Sequence, residues 1–402
     1  MLNQFTTVLI NELESPQVAR GLGSGWVSGA LGLLLAIAGL VAVLCMRFPQ
    51  LLTAPEIRAA VDVVLFRMVV HGVLISGFVL ASMSLLLRQH KVLGLTAVIL
   101  ILLALALGGS QVRAEGELTS GVYFGLDWFM LNLMLTGIIF LPLERIFQRR
   151  PQSVFRSEWR EDLFYFLISS IMVQSLTFMS LAPSHYVAGN FDLAAVQSIV
   201  ASQPLWLQFF EVMLLTDLVQ YWLHRVFHKV PFLWRFHAIH HSAQSLDWLA
   251  GSRMHFIEII FLRSLTIIPM NVLGYEQSVI YAYLIVVYLY STYIHSNVKF
   301  DIECLKPFIV TPRFHHWHHG LEREAIDVNF AIHFPLFDRL FGTYYMPQDK
   351  WPQAYGVCSS PVPTGYWKQF MYPFRGYIKE TENANQRNPS TGSGQSDKST
   401  QM

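Results

Sequence analysis

Long apolar runs govern what this chain can fold into. Crossing the hydrocarbon core takes about 20 consecutive apolar residues in a helix, and a backbone in lipid must pair its polar groups internally. Residues 25–46, 61–87, 124–143, 163–181 and 205–223 meet that demand, and 92–107 is shorter but almost wholly aliphatic. Asp62, Arg67 and His71 lie near the start of the second run, Asp127 and Asn132 interrupt the fourth stretch at 124–143, and Glu211, Asp217 and Gln220 lie inside 205–223. Two shorter pieces, 256–270 and 279–294, flank a break of sequence PMNVLG at 269–274, and they are read as a hairpin that crosses or dips into the bilayer. Composition agrees, with 53% hydrophobic and only 14% charged residues, where a soluble domain carries about 25% charged residues. The opening twenty residues lack the basic start and short apolar stretch of a cleaved signal peptide. The first run is therefore expected to stay as a spanning helix.

Positive charge orients the runs. The segment 144–160 holds Arg145, Arg149, Arg150, Arg156 and Arg160, whereas 183–204 has no Lys or Arg. The first is expected to face the cytoplasm and the second the opposite side. Arg225, Lys229 and Arg235 then return to the cytoplasmic side, as do Arg88 and Lys91 if the amino terminus starts there. Arg113 opposes this scheme but is offset by Glu115 and Glu117. Net charge is +1, which gives no electrostatic case for nucleic acid. Cys45, Cys304 and Cys358 are few and scattered, so no disulfide framework is implied. The last stretch, NPSTGSGQSDKSTQM, is small and polar and is expected to be disordered. The fold class expected is all-α: a polytopic transmembrane bundle with a cytoplasmic, helical, histidine-rich metal-binding cap. It divides into added amino-terminal spans over 1–120, a catalytic part over 121–350, and a cytoplasmic tail over 351–402.

Of fifteen histidines, eleven lie between His224 and His319. They form three clusters: His224 with His228; His237, His240 and His241; and His315, His316, His318 and His319. His255 and His295 fall between the second and third. Residues three and four apart share a helix face, so each cluster aims its imidazoles together, His316 excepted. Neutral imidazole suits zinc, copper, iron and nickel. One ion rarely takes more than four or five protein ligands, so this number of imidazoles implies two. No cysteine joins them, which speaks against a structural zinc knuckle. Unpartnered imidazoles at an apolar boundary would be costly. Single histidines such as His71, His90 and His185 are read instead as interfacial or hydrogen-bonded, and His333 as structural.

Spacing also nominates supporting residues. Asp217, Tyr221, His224 and His228 form one helical stripe, so Asp217 either orients an imidazole through its second N–H or contacts another helix. Glu258 follows His255 by three and is placed to pair with it or with Arg253. Asn297 either holds a metal-bound water or caps a loop.

These motifs resemble the sterol desaturase and fatty acid hydroxylase superfamily of membrane di-iron oxidases. The resemblance runs from about residue 158 to 345. It rests on DLVQYWLHRVFH (217–228), WRFHAIHHS (234–242), IHSNV (294–298), TPRFHHWHH (311–319) and DRLFGTY (338–344). It implies that His224, His228, His237, His240, His241, His295, His315, His318 and His319 are ligands of two iron ions, with O2 as co-substrate. Some members carry a further histidine at the position of Lys299; its loss here leaves one ligand fewer or recruits His255. The SRMHFIE and HSN stretches look closer to sterol-desaturase-like proteins and glyceryl-ether monooxygenases.

The activity implied is hydroxylation or desaturation of a membrane lipid, sterol-like or with an acyl or alkyl chain. The related alternative is an ether-lipid or carotenoid monooxygenase. No flavin, haem or iron–sulfur motif is visible, so electrons are expected from an external donor: cytochrome b5-like, ferredoxin-like, or a pterin. A histidine-rich metal transporter is the rival of another class. It would distribute ionisable residues through several spans along a path, whereas the early spans here carry few.

Overall fold

The computed structural model describes residues 2–21, 23–114, 123–299, 304–357 and 362–375. Glu115, Glu117, Cys358 and the polar tail 388–402 lie outside the described residues. Its helices of seven residues or more are α1 (Leu2–Leu13), α2 (Trp26–Arg47), α3 (Val63–Leu87), α4 (Val92–Ala106), α5 (Leu126–Ile146), α6 (Trp159–Ile171), α7 (Val173–Asn190), α8 (Ala194–Ala201), α9 (Leu205–Lys229), α10 (Pro231–His241), α11 (Phe256–Val272), α12 (Gln277–His295) and α13 (Pro312–His318). Among the described residues there is no strand, only two isolated bridges, Gln148 with Val298 and Gly320 with Tyr355.

The first apolar runs pack as a trio, α2, α3 and α4, around Leu33, Ala36, Val70, Leu74, Ala81, Leu93, Ala97 and Ile101. Small residues let these backbones approach, since association in lipid depends on close packing rather than on the hydrophobic effect. A Cβ on Gly32 would meet the Ala81 nitrogen at 2.9 Å, and one on Gly94 would meet the Ala81 oxygen at 2.8 Å. This trio is tied to the rest of the chain by hydrogen bonds. Phe124 N donates to Leu51 O (2.6 Å), Ala54 N to Asp127 Oδ2 (2.9 Å), and Phe155 N to Glu14 Oε1 (3.0 Å).

Among the described residues, five helical segments are long and apolar enough to span a membrane: 26–47, 63–87, 92–111, 126–146 and 277–295. The expected run at 163–181 is broken, with Trp159–Ile171 and Ser175–Val187 meeting at 57°, and counts as a sixth if the bent pair is one span. The run at 205–223 forms the long α9 but is not among the apolar spans, because Gln208, Glu211, Asp217 and Gln220 reduce its apolarity. Those groups are mostly turned inward: Gln208 and Asp217 are fully buried. Of the expected hairpin, α12 is apolar enough to cross and α11 is not.

Prolines set the helix starts that place the histidines. Pro231 follows Val230, whose extended backbone ends α9, and opens α10 at its first turn. A proline disfavours helix at the residue before it and is tolerated in the first turn. The second cluster is thereby folded back on the first. Pro312 opens α13 in the same way, with Thr311 as its cap accepting from Phe314 N at 3.4 Å. Two cores flank the clusters. One holds Val212, Met270, Val279, Ile280 and Tyr283. The other holds Tyr221, Ile294, Val310, Phe314, Phe330 and Phe337.

Candidate metal centre

The four elements α9, α10, α12 and α13 bring their histidines into two groups. His224, His228, His237, His241 and His318 form the first, and His240, His295, His315 and His319 the second. Within each group one ring nitrogen per residue lies within 4.8 Å of all the others. Both H-x-x-H-H clusters are divided between the groups. His237 and His241 serve the first and His240 the second; His318 serves the first and His315 and His319 the second. Adjacent turns of α10 and α13 thus face two centres at once.

Hydrogen bonds at the far side of the rings fix which nitrogen is free. His224 Nδ1 donates to Phe330 O (2.8 Å), His318 Nδ1 to Val328 O (2.8 Å), His240 Nδ1 to Arg253 O (3.2 Å) and His295 Nδ1 to Ser291 O (2.6 Å). A carbonyl can only accept, so these four rings carry their proton on Nδ1 and a lone pair on Nε2. His237 Nδ1 donates to Glu258 Oε1 (2.5 Å), and His228 Nδ1 faces Asp327 Oδ1 at 3.3 Å. Those two rings share the same tautomer.

The lone pairs converge. Nε2 of His237 is 3.0 Å from that of His224 and 3.2 Å from that of His241. Nε2 of His295 is 3.1 Å from that of His240 and 2.9 Å from that of His315, which is 3.2 Å from that of His319. No proton is available between His224 and His237, or between His240 and His295, so these contacts are repulsive unless a cation sits between them. Imidazoles about 2.1 Å from one ion, at right angles to each other, have nitrogens about 3 Å apart. His228 Nε2 and His318 Nε2 are buried without any partner. The donor set fits an ion in each group, and the excess of nitrogen over carboxylate or thiolate suits a transition metal.

Burial keeps the imidazoles neutral, the form that ligates. Desolvation holds His240, His241, His315 and His319 well below the ordinary histidine range, with neighbouring imidazoles adding to the effect. Desolvation lowers His318 to about 3 against the partial support of its bond to Val328.

The structure decides among the roles read for the supporting residues. Asp217 does not reach an imidazole of either group. Its carboxylate accepts from Ile332 N (2.9 Å), His333 N (3.0 Å) and Phe334 N (2.8 Å), and His333 Nδ1 lies 3.3 Å away. It acts at one remove, holding the segment whose Phe330 carbonyl accepts the hydrogen bond from His224. Asn297 takes the loop-capping role. Its Oδ1 accepts from Arg150 N (3.0 Å) and its Nδ2 donates to Arg150 O (2.7 Å), so it clamps a loop. Glu258 pairs with neither His255 nor Arg253 but with His237. His255 lies apart from both groups, because its Nδ1 caps α11 by accepting from Ile257 N (3.1 Å) and its Nε2 donates to Phe370 O (3.1 Å). Lys299 is exposed. His316 points away, toward Tyr355 and the Ser296 carbonyl.

One supporting layer went unseen in the sequence. Arg156 binds Asp162 (2.5 Å) and Asp247 (2.7 Å), and Arg253, fully buried, binds Asp162 (2.5 Å) and Glu158 (3.3 Å). The carboxylates raise both guanidinium pKa values against the opposing effect of burial. This network fixes the backbone of Arg253, the acceptor for His240. The available signal was the charged stretch 156–162 beside an apolar run. The carbonyls of Ser291, Val328 and Phe330 leave no signal, since any residue type supplies one.

Fold and site together define a helical membrane protein built around a buried, doubled histidine cluster. Residues 209–343 match the fatty acid hydroxylase family, and the chain carries a fatty acid hydroxylase domain of the sterol desaturase superfamily. It is 27% identical over 270 residues to an ornithine lipid hydroxylase of Rhizobium tropici, covering 63% of this chain and 80% of that protein. It is 31% identical over 173 residues to an alkylglycerol monooxygenase of Danio rerio, covering 42% of this chain and 36% of that protein. It is 30% identical over 139 residues to a cholesterol 25-hydroxylase of Mus musculus, covering 33% and 44%. The chain thus spans most of the first relative but less than half of the other two. No solved structure matches it.

Proposed function

We propose that this protein is an O2-dependent hydroxylase of a membrane lipid, working through two iron ions held by the nine grouped histidines. The observation that carries this is the convergence of proton-free Nε2 atoms about 3 Å apart in two adjoining groups. An aliphatic C–H bond has no acidic proton and no leaving group, so a bound redox metal pair with O2 would supply the oxidising chemistry. The chain's own part is to hold and dry the site. His224, His228, His237, His241 and His318 would hold one ion, and His240, His295, His315 and His319 the other. Glu258 and the carbonyls of Phe330, Val328, Arg253 and Ser291 hold the protons of His237, His224, His318, His240 and His295 on the Nδ1 side, leaving Nε2 free to ligate. Phe330 and Trp234 lie against the rings of the first group, with Phe330 5.1 Å and Trp234 4.9 Å from His228.

Hydroxylation is favoured over desaturation because the relatives are named hydroxylases and monooxygenases. The catalytic part is read as 121–350 and the added amino-terminal spans as 1–120, and the arginine-rich segment 144–160 supports a cytoplasmic side for the histidine groups. Electrons come from an external donor. A second reading, oxidation of an ether lipid, is favoured by the alkylglycerol monooxygenase likeness. An absolute requirement for a reduced pterin would select it over a donor protein.

The test is anaerobic purification, loading with Fe2+, metal analysis, and lipid profiling under O2. About two irons per chain and an O2-dependent hydroxylated lipid are expected. Less than one iron per chain with no such product overturns the reading.

A further inference from the structure

Arg263 is a cation in the middle of α11 that the metal centre does not use. Its neighbours fix the direction it faces. At 3.6 residues per turn, Arg263 lies roughly 200° round the helix from Phe261 and roughly 160° from Leu265. Phe261 and Leu265 are 49% and 37% exposed and mark the outward face of α11. Arg263 shares its stripe instead with Ile267 and Met270, four and seven residues on. Met270 is 1% exposed, packed with Val212 of α9 and with Val279 and Tyr283 of α12, and Ile267 joins the same cluster. Arg263 therefore faces the inside of the bundle and is nonetheless exposed. A side chain that is both inward-facing and accessible lines an open space between helices.

No group in that space neutralises it. Among the described residues no carboxylate interacts with the Arg263 guanidinium. The acids on the surrounding helices are engaged elsewhere. Glu258 is on His237 and Asp217 is on the 332–334 backbone, while Glu211 accepts from Gln203 (2.9 Å) and Tyr275 (3.3 Å). An unpaired guanidinium among apolar helices is costly and calls for an anion. Its planar fork suits a carboxylate or a phosphate. Glu258, which ties α11 to the first histidine group, precedes Arg263 by five residues, about 7.5 Å along the axis and roughly 140° round it, so the two side chains leave the helix on different faces.

We propose that Arg263 binds the anionic group of an amphiphilic substrate, a phosphate or a carboxylate, inside the bundle. The proposal rests on the lipid-hydroxylase reading and narrows its substrate to a lipid that carries an anionic group.

Binding alone tests it, apart from turnover. Purified full-length protein in zwitterionic nanodiscs is titrated calorimetrically with dodecyl phosphate, dodecanoate and dodecanol, against empty nanodiscs. One or both anions should bind the protein at least tenfold tighter than dodecanol, and the arm that does so identifies phosphate or carboxylate. Arg263→Gln should abolish the preference, and Arg263→Lys should keep part of it. Equal binding of all three amphiphiles by the unaltered protein overturns the proposal even if every variant misfolds. So does a preference that survives Arg263→Gln. Charge-selective binding without any O2-dependent product would instead sink the hydroxylase reading and leave the anion site standing.

Discussion

The imidazoles of His241 and His319 stack with centroids 4.3 Å apart and planes at 25°, and they belong to different histidine groups. The two centres therefore share a wall but not a ligand. Removing one ring should empty one centre and spare the other. His240→Ala takes one of four nitrogens from the second group and should lower bound iron from about two to about one per chain. His255→Ala and His333→Ala should keep both ions, since neither ring reaches a group. Elemental analysis of the three reconstituted variants checks this. Two irons in His240→Ala would remove that ring from the centre.

Glu258 differs from the backbone carbonyls behind the other rings in being a carboxylate. It is fully buried against His237 Nδ1, and its second oxygen has no partner. A carboxylate behind a ligating imidazole fixes its tautomer and raises its basicity, and losing such a partner typically costs 10–100-fold in metal affinity. Glu258→Leu should show a loss of that order in chelator competition, and Glu258→Gln, which still offers an oxygen, a smaller one. Unchanged affinity in Glu258→Leu would mean that the helix alone positions His237.

How much of this was legible beforehand follows from what each feature depends on. Eight of the nine grouped histidines, all but His295, stand at helical spacing, and a helix converts spacing into a shared face, so their mutual aim could be read directly. How the clusters divide between two centres could not. That depends on the turn at Val230–Pro231 and on where α12 delivers His295, which are tertiary facts. Asp217 shows the same limit. Its stripe with His224 is real, but a buried carboxylate is satisfied by whichever donors arrive, and here three consecutive backbone N–H groups of 332–334 arrive first. The broken helix at 171–175 was hidden for another reason: an apolar run reports length, not straightness.

That arrangement makes Asp217 a residue of stability more than of metal binding. Leaving a buried donor unsatisfied costs about 1–3 kcal/mol each, and three lose their acceptor together. Asp217→Ala should lower folding stability by roughly 3–5 kcal/mol, seen as a large drop in melting temperature. Asp217→Asn should lie between, because its amide can accept from some of these donors but presents N–H to the others. Metal content measured well below the melting transition should stay near two per chain. Loss of iron without loss of thermal stability would contradict this division of labour.

Arg253 joins stability to the centre in one residue. Its side chain is inside the protein on Asp162 and Glu158, and its carbonyl receives the proton of His240. Removing one partner of a buried ion pair typically costs 3–5 kcal/mol, because the other charge is left without compensation. Here Asp162 keeps Arg156 at 2.5 Å, so Arg253→Met should fall toward the lower end, about 3 kcal/mol. The backbone under His240 would also lose its anchor. The second group should therefore lose its ion more readily than the first, and a chelator titration of Arg253→Met should show one ion released early and one late. Simultaneous release of both, at unchanged thermal stability, would show that His240 is held by α10 alone and that the Arg253 network serves another purpose.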